Sequence, residues 1–253
     1  MTLSKQHIQF VRSLQLKKFR QKYNNFVVEG DKMVREILQQ QHIRMASLYA
    51  LPEWLDANAL LLTYCNVPMH PISPAELHKI SGLSTPNQVL AVADIPEPPT
   101  ITSLALEGFS LYLDQIQDPG NLGTLLRIAD WFGLRYVFCS PGCVDVYNPK
   151  VVQASMGAIL RVPCLERNLP ELTAAFPTLP ICGAVLDGDN LFRTTLPQHG
   201  LIVIGNESRG IAEDTAALLT NRLTIPAPQH AGAESLNAAV AAGIIIAVLI
   251  DRA

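Results

Sequence analysis

Two rhythms of apolar positions alternate along the chain. Short runs rich in β-branched and aromatic residues, Phe26–Val28, Met45–Leu51, Val67–Ile72 and Val89–Ala93, predict strands. Between them, Asp31–Gln40 and Pro74–Ile80 carry apolar residues at helical spacing. Further on, Leu111–Leu113, Tyr136–Cys139, Ile181–Leu186 and Leu201–Ile204 are continuous apolar runs, as in strands buried on both faces of a parallel sheet. Leu122, Leu125, Leu126 and Ala129 mark the apolar face of a helix that follows the first of these runs. The longest apolar stretch, Ala238–Ile250, holds no charge but is too short to cross a bilayer, so it predicts a buried helix. The order of elements predicts an α/β protein: a small α/β domain followed by a parallel-sheet domain.

The pattern breaks at Asp94-Ile95-Pro96-Glu97-Pro98-Pro99-Thr100, where three prolines in four residues cannot continue a helix or a central strand. This reading gives residues 1–94 as one domain, 95–108 as a linker and 109–253 as a second domain. With 253 residues, 49% of them apolar and 16% charged, the chain has ample material for a packed core and does not read as disordered. Lys5, His7 and Arg12 interrupt the first apolar residues, so no secretory leader is expected and the protein is placed in the cytoplasm, with no membrane span. Five cysteines, an odd number in a chain too large to need staples, are expected to be free thiols. The histidines show no metal-ligand spacing, and no metal is expected. No strand leads into Gly-x-Gly-x-x-Gly, which excludes a nicotinamide-dinucleotide enzyme.

The net charge of −3 conceals an asymmetry. Lys5, Arg12, Lys17, Lys18, Arg20 and Lys22 fall within the first 25 residues, where there is no acid. A basic arm on an acidic body suits a polyanionic partner. Arg12, Lys17, Lys18, Arg20 and Lys22 are therefore candidates for RNA contact. Ile8, Val11 and Leu14 also form an apolar stripe, so the same segment reads equally as a solvated amphipathic helix.

Three blocks carry the candidate chemistry: Asp114-Gln-Ile-Gln-Asp-Pro-Gly-Asn-Leu-Gly123, Leu201-Ile-Val-Ile-Gly-Asn-Glu-Ser-Arg-Gly210, and the stretch from Ile225-Pro226 to Ser235-Leu236-Asn237 and its alanine-rich helix. Singly, Asn121 reads as a helix cap, Arg127 as a surface ion-pair residue, Gly205 and Gly210 as turn residues, and Ser235 as another cap. Glu207, just past the end of a buried parallel strand, stands where open α/β sheets place ligands.

In this order and spacing the blocks resemble the signature motifs of the SpoU (TrmH) family of RNA ribose 2'-O-methyltransferases, of the SPOUT superfamily. Asn25–Leu38 resembles the start of the small substrate-binding domain often fused to such enzymes, similar in fold to RNA-binding ribosomal proteins. The resemblance implies a trefoil-knotted, parallel-sheet methyltransferase domain that uses S-adenosyl-L-methionine and works as a homodimer. It implies catalytic roles for Asn121, Arg127, Glu207, Ser235 and Asn237. It places Leu186, Gly188, Gly205, Ile225 and Leu236 around the cofactor. Two departures stand out: Gln153 where arginine is frequent, and Ala227–Ala231 in place of a Met- and glycine-rich connection. The expected activity is methylation of a ribose 2'-hydroxyl in structured RNA, ribosomal RNA ahead of transfer RNA. The alternatives are a transfer-RNA enzyme and a catalytically silent RNA-binding or ribosome-assembly factor on the same fold.

Overall fold

The computed structural model describes residues 3–40, 43–102, 107–228 and 230–252. Two compact units emerge, one built from residues 1–97 and 145–160, the other from 98–144 and 161–253. Residues 103–106 of the expected linker and Gln229 of the departing Ala227–Ala231 stretch lie outside the described residues.

In the first unit, strands β1 (Asn25–Glu29), β2 (Met45–Ala50), β3 (Met69–Pro71) and β4 (Val89–Asp94) form a sheet in the order β1-β4-β2-β3. β4 runs antiparallel to β1 and β2, and β3 runs parallel to β2. Helices α1 (Lys5–Ser13), α2 (Lys17–Tyr23), α3 (Asp31–Gln39), α4 (Pro52–Ala57), α5 (Ala59–Leu62) and α6 (Pro74–Ile80) surround it. Ser4 starts α1 by accepting a hydrogen bond from the His7 amide at 3.2 Å. The stripe foreseen on this helix is used: Val11 and Leu14 are fully buried in a core with Val27, Tyr49, Leu77, Ile80 and Leu90.

α6 begins with a capping box, in which Ser73 Oγ accepts from the Glu76 amide and the Glu76 carboxylate accepts from the Ser73 amide at 2.9 Å. The same carboxylate accepts from Ser73 Oγ at 2.8 Å and from the Leu3 amide at 2.6 Å, tying the start of the chain to α6. The backbone donors of Ser73 and Leu3 hold the Glu76 carboxyl down at about 2, below its ordinary 4.5. A depressed carboxyl stabilises the fold above its unfolded pKa, and that contribution is lost as pH falls from about 4.5 towards about 2. Glu76→Gln is expected to lower Tm at neutral pH and to lose its deficit near pH 2; a constant deficit in melts across this range would refute the linkage.

The segment Asp145–Leu160 completes the first unit, with helix α8 (Pro149–Ser155) packed on β1. The Tyr147 ring lies 4.8 Å from that of Phe26. Arg20 Nε donates to Asp145 at 2.9 Å, and Arg20 Nη1 donates to the Leu14 carbonyl at 2.8 Å.

The second unit holds a six-stranded sheet, β5 (Phe109–Leu113), β6 (Val137–Cys139), β7 (Cys164–Glu166), β8 (Ile181–Asn190), β9 (Gly200–Ile204) and β10 (Asn221–Thr224). All pairs are parallel, in the order β10-β8-β9-β5-β6-β7. Helices α7 (Pro119–Trp131), α9 (Leu169–Ala175), α10 (Glu213–Ala216) and α11 (Ala238–Asp251) connect and cover the strands. Tyr112, Phe138, Leu165, Leu169, Ile181, Leu201 and Val203 form a core, and the Tyr112 hydroxyl accepts from the Leu169 amide at 3.1 Å. From β5 the chain builds outwards through β6 and β7, then returns to build β8 to β10 on the other side. The direction of winding therefore switches between β5 and β9, the position at which such sheets leave a ligand crevice beyond their carboxyl ends.

β8 reaches beyond the apolar run that predicts it. Arg222 pairs with Gly183 and Leu223 with Asp189, so residues 184–188 leave the ladder before pairing resumes. α11 packs against α7, β8 and β9 and buries Ala239, Ala242, Ile245, Ile246 and Leu249. Its other side is less covered, with Val240 52% exposed. Among the described residues no helix is long and apolar enough to cross a membrane, and all five cysteines are unpaired.

Candidate active site

The strands β10, β8, β9 and β5 are neighbours in the sheet; the carboxyl ends of β10, β9 and β5 each run into one of the three blocks singled out by sequence, and Leu186 and Gly188 lie in the stretch of β8 that leaves the ladder. Directly after β5, Asp114 is buried; its amide donates to the Ile204 carbonyl and its carboxylate accepts from the Ala212 amide, both at 2.8 Å. Gln115 adopts a left-handed φ of 57°, rare for a residue with a Cβ. Its conformation is held from both sides, by Ser140 Oγ accepting from its amide at 2.8 Å and by Asn206 Nδ2 donating to its carbonyl at 2.7 Å.

Asp118, not Asn121, caps α7: its carboxylate accepts from the Asn121 amide at 2.7 Å, and Pro119 occupies the first turn. The Asn121 side chain is thereby left for tertiary bonds. Its Nδ2 donates to Glu207 at 3.0 Å, and its Oδ1 accepts from Asn237 Nδ2 at 2.9 Å. Asn237 in turn caps α11, accepting from the amides of Ala239 at 2.9 Å and Val240 at 3.2 Å. Glu207 also faces the amides of Asp118 at 3.3 Å and Gln117 at 3.5 Å. One carboxylate and two amides thus join the three sequence blocks, through residues 86 and 116 positions apart.

Arg127 lies on the same helix as Asn121 but about 240° around it at ordinary helix pitch, so it is not part of this junction. The surface ion pair that its neighbour Asp130 could offer does not form. Arg161 takes Asp130 in a two-pronged grip, Nε at 3.0 Å and Nη2 at 2.8 Å. Arg127 is exposed and, among the described residues, has no hydrogen-bond or ion-pair partner. An unclaimed guanidinium on the helix that carries Asn121 is available to a phosphate or a developing oxyanion.

Glycine is sterically required at two of the proposed cofactor positions. A Cβ on Gly188 would lie 2.6 Å from the carbonyl carbon of Arg222, and one on Gly205 would collide with the backbone of Gly210 and Ile211. The Gly205 loop folds back through paired backbone bonds between Asn206 and Gly210, each 2.9 Å. Leu186 is 78% and Leu236 47% exposed, while Ile225 is half-buried at the end of β10. Exposed leucines beside tight backbone loops offer apolar walls and peptide groups, a donor set that fits a nucleoside. Ser235 is exposed just before α11, with no side-chain hydrogen bond among the described residues. Asp187 bonds Arg222 at 2.7 Å, and that guanidinium holds its carboxyl below the ordinary range. Among the described residues no group of three His, Cys, Asp or Glu side chains is placed to hold a metal ion.

Within the first unit, Arg12, Lys17, Lys18 and Lys22 are exposed on α1 and α2. Arg20 is a correction. Only 2% exposed, its guanidinium is engaged by Asp145 and the Leu14 carbonyl, so it anchors α2 and is not open to RNA. Sequence reasoning also passed over Asp118 and Asn206. Asp118 had a usable signal, an acid directly before proline at a helix start; Asn206 had only its place between Gly205 and Glu207.

Fold and site together define a two-unit α/β protein whose three sequence blocks are tied together at the carboxyl ends of parallel strands. The chain belongs to the SpoU rRNA Methylase family, whose model matches residues 108–247. Residues 5–91 match the MRM3-like substrate binding domain. The 23S rRNA (guanosine(2553)-2'-O)-methyltransferase RlmP of Bacillus subtilis (strain 168) is 30% identical over 243 residues, covering 93% of this chain and 92% of its own. A TrmH-family protein from Porphyromonas gingivalis, assigned as an RNA methyltransferase, superposes with a TM-score of 0.90 at 39% identity over the whole of both chains. The SpoU methyltransferase AviRb of Streptomyces viridochromogenes, solved with AdoMet, shares the fold with a TM-score of 0.84 at 22% identity, covering 99% of this chain and 98% of its own.

Proposed function

We propose that this protein transfers the methyl group of S-adenosylmethionine to a ribose 2'-hydroxyl of structured RNA, ribosomal RNA ahead of transfer RNA. The observation that carries the reading is the Glu207–Asn121–Asn237 junction, which ties three loops together at the carboxyl ends of the strands. Leu186, Gly188, Gly205, Ile225 and Leu236 would hold the cofactor through apolar walls and peptide groups. When bound, its sulfonium supplies the electrophilic methyl group. Arg127 cannot act as the base, because a guanidinium stays protonated in proteins. It serves as a fixed cation that holds a phosphate and stabilises the oxygen as it becomes anionic, with phosphate or water taking the proton. Glu207 and Asn237 keep Asn121 in place, and Ser235 orients the ribose.

Residues 1–94 act as the RNA-binding domain, 95–108 as the linker and 109–253 as the methyltransferase domain, whose C-terminal segment threads through a preceding loop as a trefoil knot. The protein works in the cytoplasm as a homodimer. Trp131 is 84% exposed on α7, and Val240 lies on α11, the helix packed against it. Such apolar exposure on neighbouring helices is the support for a second copy. Trp131→Glu is expected to shift sedimentation from dimer to monomer; an unchanged sedimentation coefficient would remove the interface from this face.

The direct test is transfer of labelled methyl from S-adenosylmethionine to separate pools of unmodified ribosomal and transfer RNA, followed by nucleoside analysis. Label on a ribose 2'-oxygen of ribosomal RNA is the expected result. Cofactor binding without label in either pool or in ribosomal particles would move the protein to the silent RNA-binding class. The arm is tested separately. Replacing Lys17, Lys18 and Lys22 with alanine is expected to weaken RNA binding and to flatten the slope of log K against log salt by about 2. An unchanged slope would assign these lysines to solubility.

A further inference from the structure

The basic arm carries more than charge. Phe10, Phe19 and Tyr23 cluster at the corner between α1 and α2: the Phe19 and Tyr23 rings lie 6.2 Å apart within 11° of parallel, and Phe10 meets Tyr23 edge-on at 5.1 Å. Two lysines sit on these rings, Lys18 Nζ 4.9 Å from the centre of Phe19 and Lys22 Nζ 5.2 Å from that of Tyr23. Phe10 packs against the edge of the core that buries Val11 and Leu14, while Phe19 and Tyr23 lie outside it. Tyr23 remains 40% exposed and Leu16 53%. Neither helix has an acid in its first turn, and the acid that α2 meets, Asp145, is engaged by Arg20.

Lysines over near-parallel rings, of which Tyr23 is exposed and Phe19 half-buried, hold positive charge beside aromatic faces, the pairing that receives an unstacked base and its phosphates together. The corner is also held in advance of binding. Arg20 anchors α2 from its buried side, and Asn24 ends the helix at a left-handed φ of 52°, fixing Tyr23 in the last turn. A preformed platform keeps the ordering loss on binding small.

We propose that Tyr23, with Phe19 and Phe10 behind it, is a stacking site for an unpaired base of the RNA substrate, and that Lys17, Lys18, Lys22 and Arg12 hold the flanking phosphates. The inference rests on the reading that the substrate is RNA and narrows its class. A fully paired duplex offers phosphates but no free base face, so the arm selects a loop, bulge or single-stranded segment.

The test uses the full-length protein and two probes, a short oligouridylate carrying one 2-aminopurine and a fully paired RNA hairpin of similar charge. Wild type is expected to favour the single strand and to quench the 2-aminopurine. Tyr23→Leu, which keeps apolar volume against Phe10 without the ring, is expected to lose about tenfold in single-strand affinity, with the salt slope unchanged. Tyr23→Phe should retain quenching. Equal binding of both probes by wild type, or quenching that survives in Tyr23→Leu, overturns the stacking site. Methyl transfer to ribosomal RNA, measured on the same preparations, separates the two failures: transfer without quenching removes the platform and leaves the enzyme reading standing, whereas loss of all RNA binding and transfer by wild type removes both.

Discussion

Arg127→Ala is expected to lower kcat for methyl transfer by at least about 100-fold while S-adenosylmethionine binds as in wild type. The magnitude is that of deleting one preorganised donor aimed at a developing oxyanion. The expectation rests on how α7 leaves this side chain. Its helical neighbour Asp130 is occupied by Arg161, so among the described residues Arg127 has no ion pair whose loss would loosen the fold. Tm should accordingly move little, surface substitutions of this kind lying mostly within about 0.5 kcal/mol. Arg127→Lys is the sharper variant. It keeps the charge but loses the planar fork, so a role in gripping phosphate predicts partial activity with a raised KM for RNA, and a role confined to the oxyanion predicts a lowered kcat at unchanged KM. Wild-type rates in Arg127→Ala would exclude both.

What could be read from the chain depended on how far apart the interacting residues are. The parallel sheet was legible because strands buried on both faces appear as continuous apolar runs, and Leu111–Leu113 and Leu201–Ile204 fall inside β5 and β9. The blocks were legible because a strand end, a turn and a helix start are local events, each within a few residues of chain. Arg20 was not, because nothing nearby sets it apart from Lys17, Lys18 and Lys22; its partner lies 125 residues away. The bonding of Asp145–Leu160 to the first unit was hidden for the same reason, since that segment sits within the second half of the chain. The excursion at residues 184–188 was hidden because apolar patterning reports burial, not pairing register. Asn121 was half legible: its place at a helix start was read, but the capping that suggested it belongs to Asp118, which is why its side-chain Nδ2 is free to donate to Glu207.

Gly205→Ala is expected to raise the Kd for S-adenosylmethionine by at least about tenfold, roughly 1.4 kcal/mol, with methyl transfer falling in step at subsaturating cofactor. The reason is spatial. A Cβ at this position runs into the backbone where Gly210 and Ile211 return past it, and backbone cannot swing aside as a side-chain end can. The return strand must move, and the movement passes to Asn206, whose Nδ2 holds the Gln115 carbonyl at 2.7 Å, and to Glu207, which holds Asn121 at 3.0 Å. Gly210→Ala separates this cause from general loop strain. Gly210 has a φ of 70° but nothing among the described residues within 4 Å of the added atom, so the substitution carries only the left-handed backbone penalty of about 1–2 kcal/mol. If close approach at Gly205 shapes the cofactor site, Gly205→Ala weakens cofactor binding well beyond Gly210→Ala at comparable Tm. Equal cofactor affinities in the two variants, measured by calorimetry, would show that backbone freedom in the loop matters and the contact at Gly205 does not.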